Sequence, residues 1–137
     1  MNISKKGIDL IKKFEGCKLE AYRCSAGVWT IGFGHTKNVK KGDKITRNQA
    51  EEYLKDDLRI FEYYVNTNVE QILNQNQFDS LVSFTYNCGL KNLKTLVKDR
   101  NIIQIGNAML LYNKACGKIL NGLKSRRKAE RELFFSS

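Results

Sequence analysis

The sequence predicts an α+β fold: a small antiparallel β-sheet near the N-terminus, packed beside a mainly helical body. Three observations point there. Capping residues precede amphipathic runs at Ser4 and Thr46. Between them, Lys18 to Lys40 trades helical periodicity for aromatic, β-branched and glycine residues, as short strands and turns require. No proline, internal repeat or low-complexity stretch then divides the 137 residues, so a single domain over 1–137 is expected.

Each element follows from its local signals. Ser4 is placed as the N-cap of the first helix, with Ile3 stapling onto Ile8 and with Ile8, Ile11 and Phe14 turned inward. Gly16 is a natural C′ residue, which puts Glu15 in the last turn. ITRNQAEEYLKDDL opens a second helix, with Thr46 and Gln49 forming a capping box, running to about Tyr64. NQNQFDSLVSFTYNCG gives a third, with Phe78, Leu81, Val82 and Thr85 on one face and Gly89 closing it. Further helices are expected from Ile102 to Tyr112 and from Arg126 to Phe134, the latter capped by Ser125.

Composition narrows the partners. The formal charge is +10, with a cluster at KSRRKAER from Lys124 to Arg131. Such a field draws a protein toward polyanions: nucleic acid, acidic membranes or anionic polymers. No nucleic-acid motif accompanies the charge, so no nucleic-acid partner is expected. No apolar run approaches the ~20 residues of a membrane span, and stable membrane insertion is not expected. The N-terminus lacks an apolar stretch with a cleavage site, which predicts folding in the cytoplasm. The four cysteines, Cys17, Cys24, Cys88 and Cys116, form no C-x-x-C pair and meet a single histidine. No metal and no cofactor are expected from that set, and Cys88 and Cys116 read as small core residues.

Rare residues concentrate between Phe14 and Thr36, in FEGCKLEAYRCSAGVWTIGFGHT. A carboxylate at a helix C-terminus faces the negative end of the macrodipole, which suits Glu15 to hold a proton as a general acid. The simpler reading is a surface glutamate. Gly32 and Gly34 permit the close approach expected where a strand walls a cleft. Thr30 is placed to present its hydroxyl to a water molecule. His35 reads as a base, a substrate contact or, more simply, a hydrogen-bonded structural residue.

The run E-G-x(7)-C-x(5)-T-I-G-x-G-H, Glu15 to His35, resembles the phage-type lysozymes of glycoside hydrolase family 24, the endolysin muramidases. The likeness continues through ITRNQAEEYLKDDL, NQFDSLVSFTYNCG and GLKSRRKAERELF and so covers nearly the whole chain. It implies a lysozyme-like fold, with no separate wall-binding module, that hydrolyses the β-1,4 bond between N-acetylmuramic acid and N-acetylglucosamine. Glu15 would protonate the leaving oxygen, Cys24 would stand where many relatives carry aspartate, and Thr30 would position water. Arg126 or Arg127 would lie near Glu15 and set its orientation. Asn87 would bond an N-acetyl sugar, while Phe84, Tyr86 and Trp29 read as core or as cleft wall. Synthesis in the host cytoplasm, release to the wall through a separate membrane-permeabilising protein, attraction to anionic wall polymers and a monomeric state are implied as well.

Cysteine in place of aspartate changes the chemistry. A free thiol titrates near ~8.5 and is mostly neutral at pH 7 unless something lowers it, for which nearby cations are the expected cause. Cys24 is then a thiolate base or nucleophile, an auxiliary group, or half of a disulfide with Cys17. Glu20 is a weaker substitute carboxylate. The missing carboxylate also keeps lytic transglycosylase chemistry open. A cationic membrane- or nucleic-acid-binding protein is the rival from a different class.

Overall fold

The computed structural model describes residues 1–137. The elements are α1 (Lys5–Glu15), β1 (Lys18–Arg23), β2 (Trp29–Gly32), α2 (Arg47–Asn68), α3 (Gln75–Cys88), α4 (Leu90–Val97), α5 (Ile102–Ala108) and a 3-10 turn at Met109–Leu111. A short hairpin of β3 (Lys114–Ala115) and β4 (Lys118–Ile119) leads into α6 (Asn121–Phe135). The chain divides into two compact units: Ile11–Arg59, and Met1–Leu10 with Ile60–Ser137. The boundaries fall inside α1 and α2.

In the Ile11–Arg59 unit, β1 and β2 form an antiparallel pair. The other edge of β1 is met by the following loop, where Ala21 N–H donates to Asp43 and Ile45 N–H to Leu19, both at 2.9 Å. Ile11, Ile31, Phe33, Ala50, Leu54 and Leu58 are buried and make the core. Gly32 is where the sheet meets α2: its φ is +66°, and a Cβ there would lie 3.3 Å from that of Ala50. Only glycine meets both demands without strain. The Thr46–Gln49 capping box is formed, with Gln49 N–H donating to Thr46 Oγ1 at 3.2 Å and Thr46 N–H to Gln49 Oε1 at 2.9 Å. The helix it starts runs one turn past the expected Tyr64, to Asn68. There Thr67 and Asn68 donate back to the carbonyls of Tyr63 and Tyr64.

The second unit is helical and is built on α3. Asp79 collects the N-terminus: it accepts from Ser4 N–H at 2.9 Å, from the Ser4 hydroxyl, and from Gln75 Nε2 at 2.8 Å. Ser4 thus holds the cap position, but its hydroxyl is spent on Asp79. Residues Phe78 to Thr85 are buried without interruption, so α3 is covered all round there and not on one face alone. Phe84 is core, wholly buried with Arg127 stacked 5.1 Å above its ring.

Two expectations fail for identifiable reasons. α6 begins at Asn121, not Arg126, because Leu120 is already extended (φ −111°, ψ 132°) and its carbonyl accepts from Lys124; Ser125 sits inside the helix and caps nothing. Cys116 is exposed with a φ of 51°, at the turn between β3 and β4, and is no core residue. α4 is a further helix beyond those expected: Gly89, a stop signal for α3, also precedes its first residue, and Leu93, Leu96 and Val97 are buried.

Candidate active site

The hairpin register sorts the predicted residues by face. Tyr22 pairs with Thr30, and Arg23 with Trp29. Cross-strand partners share a face and neighbours alternate. Tyr22, Thr30 and, two residues beyond Tyr22, Cys24 therefore share one side. Arg23 and Trp29 occupy the other, with the guanidinium 5.9 Å from the indole centroid. Cys24 and Thr30 come together; Trp29 does not join them.

The turn at Cys24 acts on its sulfur. Cys24 N–H donates to Val28 at 3.0 Å, and Gly27 N–H, at a φ of +79°, donates to the Cys24 carbonyl at 2.8 Å. This curl aims the Val28 and Ala26 N–H groups at the sulfur. With the Thr30 hydroxyl and the Cys24 N–H itself, they hold the thiol below its ordinary value against the opposing cost of burial. The main causes are backbone donors, not the cations expected from the composition. The Thr30 hydroxyl also lies 3.0 Å from the Val28 carbonyl. It carries one proton, so it serves the carbonyl when Cys24 is a thiol and turns to the sulfur when a thiolate forms. Thr30→Val is accordingly expected to move the pH midpoint of Cys24 alkylation upward, toward that of an ordinary thiol. Alkylation rate followed against pH measures it, and an unmoved midpoint would remove Thr30 from the sulfur's environment.

Glu15 ends α1, half-buried, where Gly16 turns the chain with a φ of +68°. One neighbour senses it together with Cys24. The Tyr22 phenol is raised from 10.0 by burial first, then by the Glu15 charge, then by that of Cys24. Acid and sulfur thus act on the same hydroxyl. All four cysteines are free thiols, and the Cys17–Cys24 pairing is not formed. Glu20 is exposed on the strand edge opposite Lys44.

His35 has structural partners. Its Nδ1 lies 2.7 Å from Asp57 Oδ2, its ring stacks on Tyr53 at 4.3 Å, and its backbone exchanges two 2.9 Å hydrogen bonds with Ile31. Asn87, Arg126 and Arg127 belong to the helical unit. Asn87 is exposed near the end of α3 and, with Cys88, Asn92 and Tyr112, borders a pocket of about 350 Å³. Arg126 and Arg127 are buried together around Glu130, itself wholly buried. Arg126 Nε donates to Glu130 Oε2 at 3.2 Å, and Ser83 Oγ donates to the same oxygen at 2.6 Å. Arg127 Nε approaches Glu130 Oε1 to 2.6 Å at an angle unsuited to a hydrogen bond, so these two meet as charges. Arg127 Nη1 donates to Cys88 Sγ at 2.6 Å.

Tyr22, Asp57 and Glu130 were not singled out from the sequence. Tyr22 alone carried a usable signal, its i, i+2 spacing from Cys24 on a strand; the other two are recognisable only by what they touch. No group of three or more His, Cys, Asp or Glu side chains is placed to hold a metal ion. No helix is long and apolar enough to cross a membrane.

A mainly helical body with a small N-terminal hairpin is the architecture of the lysozyme class of glycosidases. Residues 12–130 match the model of the phage lysozyme family, and the chain belongs to that family. It is 39% identical over 146 residues to an endolysin of Acyrthosiphon pisum secondary endosymbiont phage 1, covering the whole of both chains. It is 40% identical over 144 residues to an endolysin of Bacillus phage B103, of whose length it spans 55%. The solved endolysin of Escherichia coli O157:H7 phage FAHEc1 superposes with a TM-score of 0.90 at 42% identity, over 99% of this chain and 94% of that one. The chain is a peptidoglycan hydrolase, a muramidase-type enzyme of host-cell lysis.

Proposed function

We propose that the enzyme cleaves the β-1,4 bond between N-acetylmuramic acid and N-acetylglucosamine with Glu15 as general acid and Cys24, as thiolate, in the place of the usual second carboxylate. The observation that carries this reading is the hairpin register, which sets Cys24 and Thr30 on one side of the sheet that follows Glu15 at the end of α1. Glu15 hands its proton to the bridging oxygen as the C–O bond breaks, and positive charge develops on the sugar ring. The thiolate offsets that charge and accepts a proton from a water molecule that Thr30 holds by its oxygen lone pairs. The backbone donors favour the ionised sulfur without a buried cation, at the cost of some basicity.

His35 serves this site by holding the β2 turn against α2 through Asp57 and Tyr53. Asn87 is a contact for an N-acetyl group. The net charge of +10 draws the monomeric enzyme to anionic wall polymers, an attraction that salt screens. The enzyme is made in the host cytoplasm and reaches the wall through a separate membrane-permeabilising protein.

Product analysis on purified peptidoglycan tests the chemistry. Each new reducing end is expected to have gained one water, and Cys24→Ala is expected to slow its appearance by about tenfold or more. Anhydro-sugar ends, the mark of intramolecular attack, would refute the hydrolytic step.

A further inference from the structure

We propose that Tyr22 is a substrate-binding residue of this site, its hydroxyl donating a hydrogen bond to a hydroxyl or N-acetyl oxygen of the sugar held between Glu15 and Cys24. The assignment rests on the reading of Glu15 and Cys24 given above and extends it to the recognition of the sugar. Three observations lead to it. Tyr22 faces Thr30 across the hairpin and stands two residues before Cys24 on the same side of β1. The residue is 38% exposed, so a ligand has access to it. Its hydroxyl makes no hydrogen bond within the protein, which leaves it available to a ligand.

The electrostatics fix what this hydroxyl offers. Burial first, and the charges of Glu15 and Cys24 whenever they are ionised, raise the phenol above its ordinary value, so at working pH it presents an O–H donor. A sugar hydroxyl or amide oxygen entering there meets a donor that the thiolate does not supply and that is separate from the proton Glu15 gives to the bridging oxygen. Trp29, the aromatic residue that the sequence suggests for sugar contact, is on the opposite face under Arg23. The hairpin therefore carries Tyr22 as its aromatic residue on the catalytic side.

The test compares Tyr22→Phe, which removes only the oxygen, with the wild type and with Glu15→Gln on solubilised peptidoglycan fragments. A bond made equally in ground and transition states raises KM and spares kcat. Tyr22→Phe is expected to raise KM about five- to tenfold, the cost of one neutral hydrogen bond, with kcat within about twofold and the thermal midpoint unchanged. Wild-type KM in Tyr22→Phe would overturn the proposal, as would a loss of activity that follows a fall in the thermal midpoint. Glu15→Gln separates the two levels. If it is inactive while Tyr22→Phe behaves as wild type, the Tyr22 assignment alone fails; if it keeps full activity, the reading of the site beneath it fails.

Discussion

Glu15→Gln is expected to abolish most turnover, by about 10²–10⁴-fold in kcat, with the fold intact. The substitution keeps the size of the side chain and removes its transferable proton together with its ionisable charge. Gly16 ends the helix through its own backbone, with Gly16 N–H bonded to the Lys12 carbonyl at 3.0 Å. The neighbouring Lys12–Glu51 ion pair at 2.7 Å is equally untouched. Reducing-end release from purified walls measures the loss, and a thermal melt within about 2 °C of wild type shows that the protein is folded. A variant that lyses walls as fast as the parent would mean that killing comes from the +10 charge, and the enzymatic role of Glu15 would fall.

The largest effect on stability is expected at Glu130. Its carboxylate is wholly buried and shared by Arg126 and Arg127, which are 3% and 0% exposed. Glu130→Gln keeps the shape and the hydrogen bond from Ser83 but leaves two buried guanidinium groups without their shared counter-charge. Breaking a buried pair in this way costs about 3–5 kcal/mol, enough to lower the melting temperature by about 10 °C or more in a chain of this size. Urea unfolding measures it, and a loss under about 1 kcal/mol would show that the network is not held by charge. Ser80 also donates to the Glu130 backbone carbonyl at 2.8 Å, and Arg126 Nη2 to the Ser83 carbonyl at 3.2 Å, so α3 and α6 stay joined by bonds that do not use the carboxylate. The damage should therefore appear as lower stability and not as loss of the fold.

Much of the fold was legible because its signals are local. The Thr46–Gln49 capping box, the left-handed Gly16 and the closing Gly89 depend on neighbours within a few residues, which is the range a sequence displays. Where local signals overlapped, the reading slipped. Gly89 both ends α3 and precedes α4, so a stop was visible and a start was not. Ser125 looks like a cap, yet the helix had begun a turn earlier because Leu120 is extended in the chain leaving the β3–β4 hairpin.

The sequence by itself determined which chemical groups the enzyme owns: an acid at the end of the first helix, a thiol nine residues on, a threonine six beyond that, and a strongly basic surface. Only the tertiary structure decided what those groups are worth. The register of β1 against β2 put Tyr22 with Cys24 and Thr30 and turned Trp29 away, and a single-residue shift in pairing would have reversed the choice. The turn from Cys24 to Val28 aimed peptide N–H groups at the sulfur and lowered its titration, which no count of cations could foretell. Packing of α3 on α6 made Arg126 and Arg127 parts of a buried charge cluster. The physical reason is common to all three: residue type sets which charges and donors exist, whereas their energies depend on distance, direction and burial, which arise only when distant segments meet.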